Sequence, residues 1–296
     1  MDKNRVITRY NDEFIREDDW KKLDEAVGKV MASKLNGVAD LVNGGLVAPI
    51  SGWDTVVSTW NTTSPFDNAD SSLDIVSGSA KDRVVYGLDG TTIPVIWKDY
   101  SLSARQSGGS LPMDSAIAAA EAVARKMEYI LFNGDNSSTS AYNCYGYVNH
   151  PANQDVTVSN WSSATTNVIA NVESMLSSMH ANGFDGAMNL YVPLTWYTPL
   201  TSDYHATHDG SFIERIAQYG ITVKATSQLS VNVALVQLDS SSIDLALPIS
   251  PINIIWADYG NGLVKEMRVV AAMSPRMKRV GNGSTTGLVG VVIGSL

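Results

Sequence analysis

The sequence predicts an α+β fold in which helices and strands are segregated along the chain. Three observations carry this prediction. Residues 112–132 and 164–183 keep apolar side chains at helical spacing, the chain from Ile221 onward reads as strand after strand, and no flexible linker or internal repeat divides the 296 residues. At roughly 100 to 200 residues per domain, that length bounds one large domain or two interwoven ones.

Residues 1–16 mix both signs of charge with few apolar anchors, which predicts an extended arm that orders only against a partner. A first helix follows over 17–35. Glu17, Asp18 and Asp19 stand where carboxylates favour a helix start, and Trp20, Leu23, Val27, Val30 and Met31 fall at helical spacing. From Trp53 the runs TVVSTW, RVVYG and TTIPVIW enclose a polar insert rich in Ser, Asp and Asn, so residues 53–104 read as a two-stranded excursion projecting from the body. Pro94 places its returning run at a sheet edge.

The strongest local signal is SLPMDSAIAAAEAVARKMEYILFNG. Ile117, Ala120, Ala124, Met127 and Leu131 form a narrow apolar stripe that permits close approach of another backbone, Glu121 and Arg125 lie one turn apart on the polar face, and Gly134 is the C-terminal stop. Residues 135–163 are nearly uncharged and read as loop. The next helix, from Ala164, carries Val168, Val172, Met175, Leu176 and Met179; MNLYVP is a buried strand ending at Pro193. Ser211 and Glu214 form a capping-box pattern, and Gly220 closes that short helix. The runs ITVKA, VNVALVQLD, SIDLALP, NIIWADYG, LVKEMRVVAAM and TGLVGVVIG then read as strands, with Asn261 and Gly262 as a hairpin turn.

Composition excludes several functions. Hydrophobic residues make up 44% and charged residues 17%, below the usual quarter, so much of the polar surface is Ser, Thr and Asn, which suits a protein packed against its own copies. The formal net charge of -9 argues against sequence-independent grip on nucleic acid. The single cysteine, Cys144, excludes an intrachain disulfide framework, and its tyrosine neighbours give it no cation to lower its pKa. The N-terminus lacks the apolar core of a signal peptide, and no apolar run is long enough for a membrane helix.

No catalytic constellation emerges, and no cofactor is assigned. His150 beside Pro151 and His180 at a helix end read as structural. In DYHATHD, residues Asp203, His205, His208 and Asp209 are the available metal-ligand types, which leaves a metal-dependent hydrolase as an alternative. Their spacing of three and the flanking Pro199, Thr201, Ser202 and Gly210 favour a solvated loop tip over a rigid metal site. GNGSTTG at 281–287 resembles a phosphate-binding loop but leads into a strand, so it reads as a connector. Arg276, Lys278 and Arg279 read as edge protection or a subunit salt bridge before a nucleic-acid contact.

The stretch IPVIWKDYSLSARQ, then SLPMDSAIAAAEAVARKMEYILFNG, then YGYVNHPAN, resembles the Hong Kong 97 fold of tailed-virus major capsid proteins and the related encapsulins. The resemblance covers nearly the whole chain. It implies an N-terminal arm at 1–16, a first helix and the start of a peripheral domain at 17–52, an E-loop at 53–104, and a spine helix with peripheral domain at 105–164. An axial domain at 165–267 and a return to the peripheral domain at 268–296, through a strand at 286–294, complete it. Some relatives weld subunits by a Lys–Asn isopeptide bond, for which Lys81 is the corresponding lysine; no catalytic carboxylate can be placed beside it.

What the resemblance implies is a shell builder and not an enzyme: a major capsid protein forming pentamers and hexamers of itself, in an icosahedral or prolate shell around viral double-stranded DNA. The alternative is an encapsulin nanocompartment around an enzyme cargo. Implied partners are a portal and scaffold or cement proteins, with no membrane, and the implied location is the virion capsid, assembled in the host cytoplasm. Expected assembly contacts are Trp20, Trp60, Phe66, Asp67, Lys81, Asp82, Arg83, Glu121, Arg125, Tyr204, Arg276 and Arg279.

Overall fold

The computed structural model describes residues 35–49, 87–88, 95–103, 113–135, 144–162, 167–205, 208–247, 253–257, 264–279 and 288–296, with single helical positions at Lys21, Glu25, Ala26, Gly28 and Lys29 inside the expected first helix. The TVVSTW run, most of the excursion and the Asn261–Gly262 turn lie outside the described residues.

The alanine-rich sequence around residue 120 forms helix α2, Met113–Asn133, following the short helix α1, Gly37–Asn43, which sequence patterning did not anticipate. Ala116, Ala119, Ala120 and Ala124 are buried along α2. Their small side chains let the helix lie close upon strands β3 (Val95–Ser103) and β12 (Val264–Ala272) of its own chain. The stripe expected to admit another backbone therefore admits this chain's own sheet. Gly134, with φ of 72°, donates its N–H to the Ile130 carbonyl at 2.8 Å and stops the helix as expected.

Strands β1 (Val47–Pro49) and β2 (Gly87–Leu88) flank β10 (Ile243–Leu247) and β13 (Ser274–Arg279) in a four-stranded sheet of order β1-β10-β13-β2. β3 and β12 pair antiparallel over their whole length, and β12 also pairs β11 (Asn253–Ala257). The larger sheet takes β4 (Gln154–Thr157), β5 (Met188–Pro193), β8 (Ile221–Thr226), β9 (Val233–Gln237) and β14 (Val291–Ser295) in the order β4-β14-β9-β5-β8. β5 pairs β8 in parallel and β14 pairs β4 in parallel, so helices and strands alternate here, in contrast to the segregation expected. β4 lies within residues read as loop, and it is recruited by β14, far away in sequence.

The three inner strands of this sheet, β14, β9 and β5, are buried on both faces. Met188, Leu190, Val192, Val233, Leu235 and Val292 point into one apolar cluster with helix α3 (Val168–Ala181), while Tyr191, Ala234, Val236, Val291 and Ile293 point into another containing the buried side of α2. The alternation follows from the two-residue repeat of a strand. Sequence shows these strands as continuous apolar runs because both faces are covered.

After β5 come helix α4 (Leu194–Leu200), strands β6 (Asp203–His205) and β7 (His208–Ser211), and helix α5 (Phe212–Ala217). The stretch expected as a loop tip is thus a β-hairpin in which His205 stands opposite His208. Its ends are drawn together because the flanking helices pack on the larger sheet, and Phe212 donates its N–H to the Ser202 carbonyl at 3.3 Å. The capping box forms as predicted: Ser211 Oγ accepts from Glu214 N at 3.2 Å, and Glu214 Oε2 accepts from Ser211 N at 2.8 Å.

Candidate functional site

The polar groups that tie the two apolar clusters together gather around α1. Glu128 lies on the buried side of α2, its carboxylate accepting backbone N–H bonds from Gly37 at 2.6 Å, Asn36 at 3.2 Å and Val38 at 3.3 Å. A carboxylate here satisfies the unpaired N–H groups that open α1 and meets the positive end of its dipole. Burial pushes the Glu128 carboxyl above its ordinary pKa, against the opposing pull of the three donors. No cation pairs with it among the described residues.

One turn into α1, Asp40 accepts from Tyr191 Oη at 2.7 Å, from Asn189 Nδ2 at 3.1 Å and from Lys224 Nζ. Tyr191 and Asn189 come from β5 and Lys224 from β8, so Asp40 fastens α1 to the five-stranded sheet as Glu128 fastens it to α2. Beneath them Phe132 packs edge-on to both Tyr147 and Tyr191, at 5.3 and 5.1 Å between ring centroids. The Tyr147 hydroxyl is fully buried with no hydrogen-bond partner among the described residues. Tyr147→Phe is expected to keep or raise stability, by up to about 1 kcal/mol, since removing an unpaired buried hydroxyl removes its desolvation cost. Equilibrium denaturation in urea measures this, and a loss of about 1 kcal/mol would reveal a partner for the hydroxyl.

Sequence reasoning passed over Glu128 and Asp40. Their signal was present: each is a lone carboxylate between apolar neighbours, in MEYIL and VADLV, where an unpaired charge has no reason to be buried.

Of the residues expected to make contacts, Glu121 and Arg125 pair with each other on the open face of α2 at 2.6 Å. An exposed pair one turn apart contributes only about 0.3–0.5 kcal/mol. Lys126, beside them, stands 4.8 Å over the Tyr129 ring. Arg276 faces Asp244 directly across β10 and β13 and grips it with two bonds of 2.6 and 2.7 Å; Lys278 reaches the same carboxylate at 3.1 Å. β13 lies between β10 and β2, and β2 pairs with it at Lys278 and Arg279, so that end of the basic run lies inside a sheet and not at the edge expected for it. Arg279 pairs through its backbone with Gly87. Tyr204 lies in β6, and Trp20, Trp60, Phe66, Asp67, Lys81, Asp82 and Arg83 lie outside the described residues.

Among the described residues no three His, Cys, Asp or Glu side chains are grouped to hold a metal ion, and no helix is long and apolar enough to cross a membrane. Burial raises the Cys144 thiol to about 11, with its Sγ 3.6 Å from Ser274 Oγ, which leaves little thiolate for nucleophilic chemistry. Among the described residues the buried carboxylates brace the chain's own fold, Glu128 through backbone N–H groups and Asp40 and Asp244 through side chains.

Residues 10–243 match the sequence family DUF6260, described as a family of unknown function. The chain belongs to DUF6260. No curated protein matches it. Among solved structures, this DUF6260 chain resembles the virus-like particle from Pyrococcus furiosus, with 14% identity and a TM-score of 0.68, over 93% of this chain and 99% of that one. It also resembles the capsid of Myoviridae phage XM1, with 13% identity and a TM-score of 0.53, over 86% and 91% of the two chains. The holo-SrpI encapsulin complex from Synechococcus elongatus PCC 7942 matches with 9% identity and a TM-score of 0.51, over 86% of each chain. At these identities the likeness is one of fold, and the DUF6260 chain has the Hong Kong 97 fold expected from its sequence.

Proposed function

We propose that this chain is the major capsid protein of a tailed virus, assembling in pentamers and hexamers into a closed icosahedral or prolate shell around double-stranded DNA. The observation that carries the reading is the near end-to-end match with a chain from an assembled virus-like particle, 93% of one and 99% of the other. A likeness of that extent supports a reading in which function resides in the surfaces of the fold itself. The chain then works by geometry and not by chemistry: many modest contacts, each repeated around a symmetric shell, sum to a stable container. A net charge of -9 suits an inner wall along which packaged DNA moves without adhering. Implied partners are a portal and, at assembly in the host cytoplasm, scaffold or cement proteins.

A nanocompartment shell around an enzyme cargo is the second reading, because the encapsulin overlays this chain nearly as well as the phage capsid does, at 0.51 against 0.53. Purified particles distinguish the two. Electron microscopy of the expressed chain is expected to show closed shells, and shells recovered from the native source are expected to hold nuclease-resistant DNA. Shells filled with one enzyme in place of DNA would support the nanocompartment, and a chain that stays monomeric at high concentration across salt conditions would refute both readings.

A further inference from the structure

Asn–Gly is a dipeptide prone to spontaneous deamidation: the glycine nitrogen attacks the asparagine side-chain carbon, ammonia leaves, and water opens the resulting succinimide. Glycine favours the reaction because it has no β-carbon to hinder the chain from folding back on the asparagine. The dipeptide begins at Asn36, Asn43, Asn133, Asn182, Asn261 and Asn282, and the last two lie outside the described residues.

At the other four the glycine N–H is already donated. Gly44 donates to the Asp40 carbonyl at 2.9 Å, Gly134 to the Ile130 carbonyl at 2.8 Å and Gly183 to the His180 carbonyl at 3.0 Å. Each acceptor belongs to the helix that the glycine closes, so the restraint is local. Gly37 differs. Its acceptor is Glu128 Oε1 at 2.6 Å, 91 residues away on α2. Asn36 gives its own N–H to the same oxygen at 3.2 Å, while its side chain is exposed and makes no capping bond to α1. Packing also requires the glycine. A β-carbon at residue 37 would lie 2.8 Å from Leu131 Cδ2 and 3.0 Å from Phe132 Cε2, so the close docking of α1 on α2 imposes the labile dipeptide.

We propose that Asn36–Gly37 is a deamidation site held shut by Glu128, so that release of α1 from α2 is written into the chain as a covalent change. Attack needs the Gly37 nitrogen to give up its proton to solvent base and to turn its lone pair on Asn36 Cγ. In the docked chain Gly37 is buried and its N–H is committed to the carboxylate, so neither condition is met. Once α1 lifts away, a bond forms from Gly37 N to Asn36 Cγ, the Cγ–Nδ2 bond breaks, and the amide leaves as ammonia with the proton that Gly37 lost. Water then adds to the ring and gives an aspartyl or an iso-aspartyl linkage. Either product sets a new carboxylate beside Glu128, and the iso-aspartyl one lengthens the main chain by a carbon, shifting the Gly37 and Val38 N–H groups away from their acceptor. The chemistry is the same whether or not the chain builds shells.

Peptide mapping by mass spectrometry after incubation in mildly alkaline buffer tests the proposal. Asn36 is expected to deamidate at least about tenfold more slowly in the folded wild type than in the same chain held unfolded in urea, because attack waits on local opening. Glu128→Ala is expected to remove most of that protection, while Asn182, restrained by its own helix, reacts as slowly as in the wild type. Glu128→Asp, which draws the carboxylate back by one carbon, is expected to raise the Asn36 rate several-fold, and it replaces Glu128→Ala if the far-ultraviolet spectrum shows that variant to be unfolded. Reaction of Asn36 in the folded wild type as fast as in urea would overturn the proposal, as would an unchanged rate in a folded Glu128 variant. Equal acceleration at Asn36 and Asn182 would also overturn it, since Glu128 would then act on the stability of the whole fold and not on this bond.

Discussion

Replacing Glu128 by alanine is expected to cost about 4 kcal/mol of folding stability, because buried N–H groups at the start of α1 lose their acceptor and each unsatisfied group costs about 1–3 kcal/mol. Gly37 and Val38 are both buried, so water cannot stand in for the carboxylate without opening the packing around α1. Glu128→Gln keeps one acceptor oxygen and is expected to cost less than half as much. The pH dependence is the more specific signature. Burial raises the folded-state pKa above the unfolded value near 4.5, so between those two values the folded chain binds more protons than the unfolded one. Stability contributed by this group is therefore complete below about pH 4.5 and declines as pH rises through the raised folded-state pKa, the reverse of a salt-bridged carboxylate. Urea midpoints measured in steps from pH 4 upward are expected to show this decline in the wild type and to lack it in Glu128→Gln. Equal slopes in the two proteins would mean that the carboxyl titrates as it does in water.

Gly146→Ala is expected to be at least as damaging, about 4 kcal/mol or more, a size reached only where the backbone itself is obstructed. A β-carbon at residue 146 would lie 2.4 Å from Gly134 N and 2.8 Å from both Asn133 N and Ile130 O. All three are backbone atoms at the end of α2, and none can swing aside as a side chain can. Gly134 faces the same contact from the other side: a β-carbon there would lie 2.4 Å from the Cys144 carbonyl oxygen, at a φ of 72° that disfavours any other residue. The close approach has a purpose in the fold. Tyr147 and Val148 donate their N–H groups to the Leu131 and Phe132 carbonyls at 2.9 and 2.8 Å, so this segment closes the C-terminus of α2. Equilibrium unfolding of Gly146→Ala within about 1 kcal/mol of the wild type would overturn this account.

Both substitutions act on positions whose importance was unequally visible beforehand. Gly134 stood out as a helix stop because a glycine after a long periodic run has a local reason to be there. Gly146 was legible only as one of several turn residues, since the atoms that exclude a side chain belong to Ile130, Asn133 and Gly134 at a helix end earlier in the chain. Glu128 was hidden for a related cause. On a helical wheel it is an interruption of the apolar face, and only the docking of α1 supplies the donors that make it tolerable.

Elements governed by local rules were accessible from residue order alone: α2 with its alanine stripe and glycine stop, the boundaries of β5, and the Ser211–Glu214 capping box. Each depends on groups within a few residues, so spacing and side-chain chemistry suffice to place it. The likeness to capsid folds was readable for a similar reason, as a succession of such elements. Tertiary structure decided the remainder. α1 is too short to stand without Glu128 holding its start and its own Asp40 tied to β5 and β8, β4 becomes a strand only because β14 pairs with it, and Arg276 is committed to Asp244 by a strand register that no local pattern encodes.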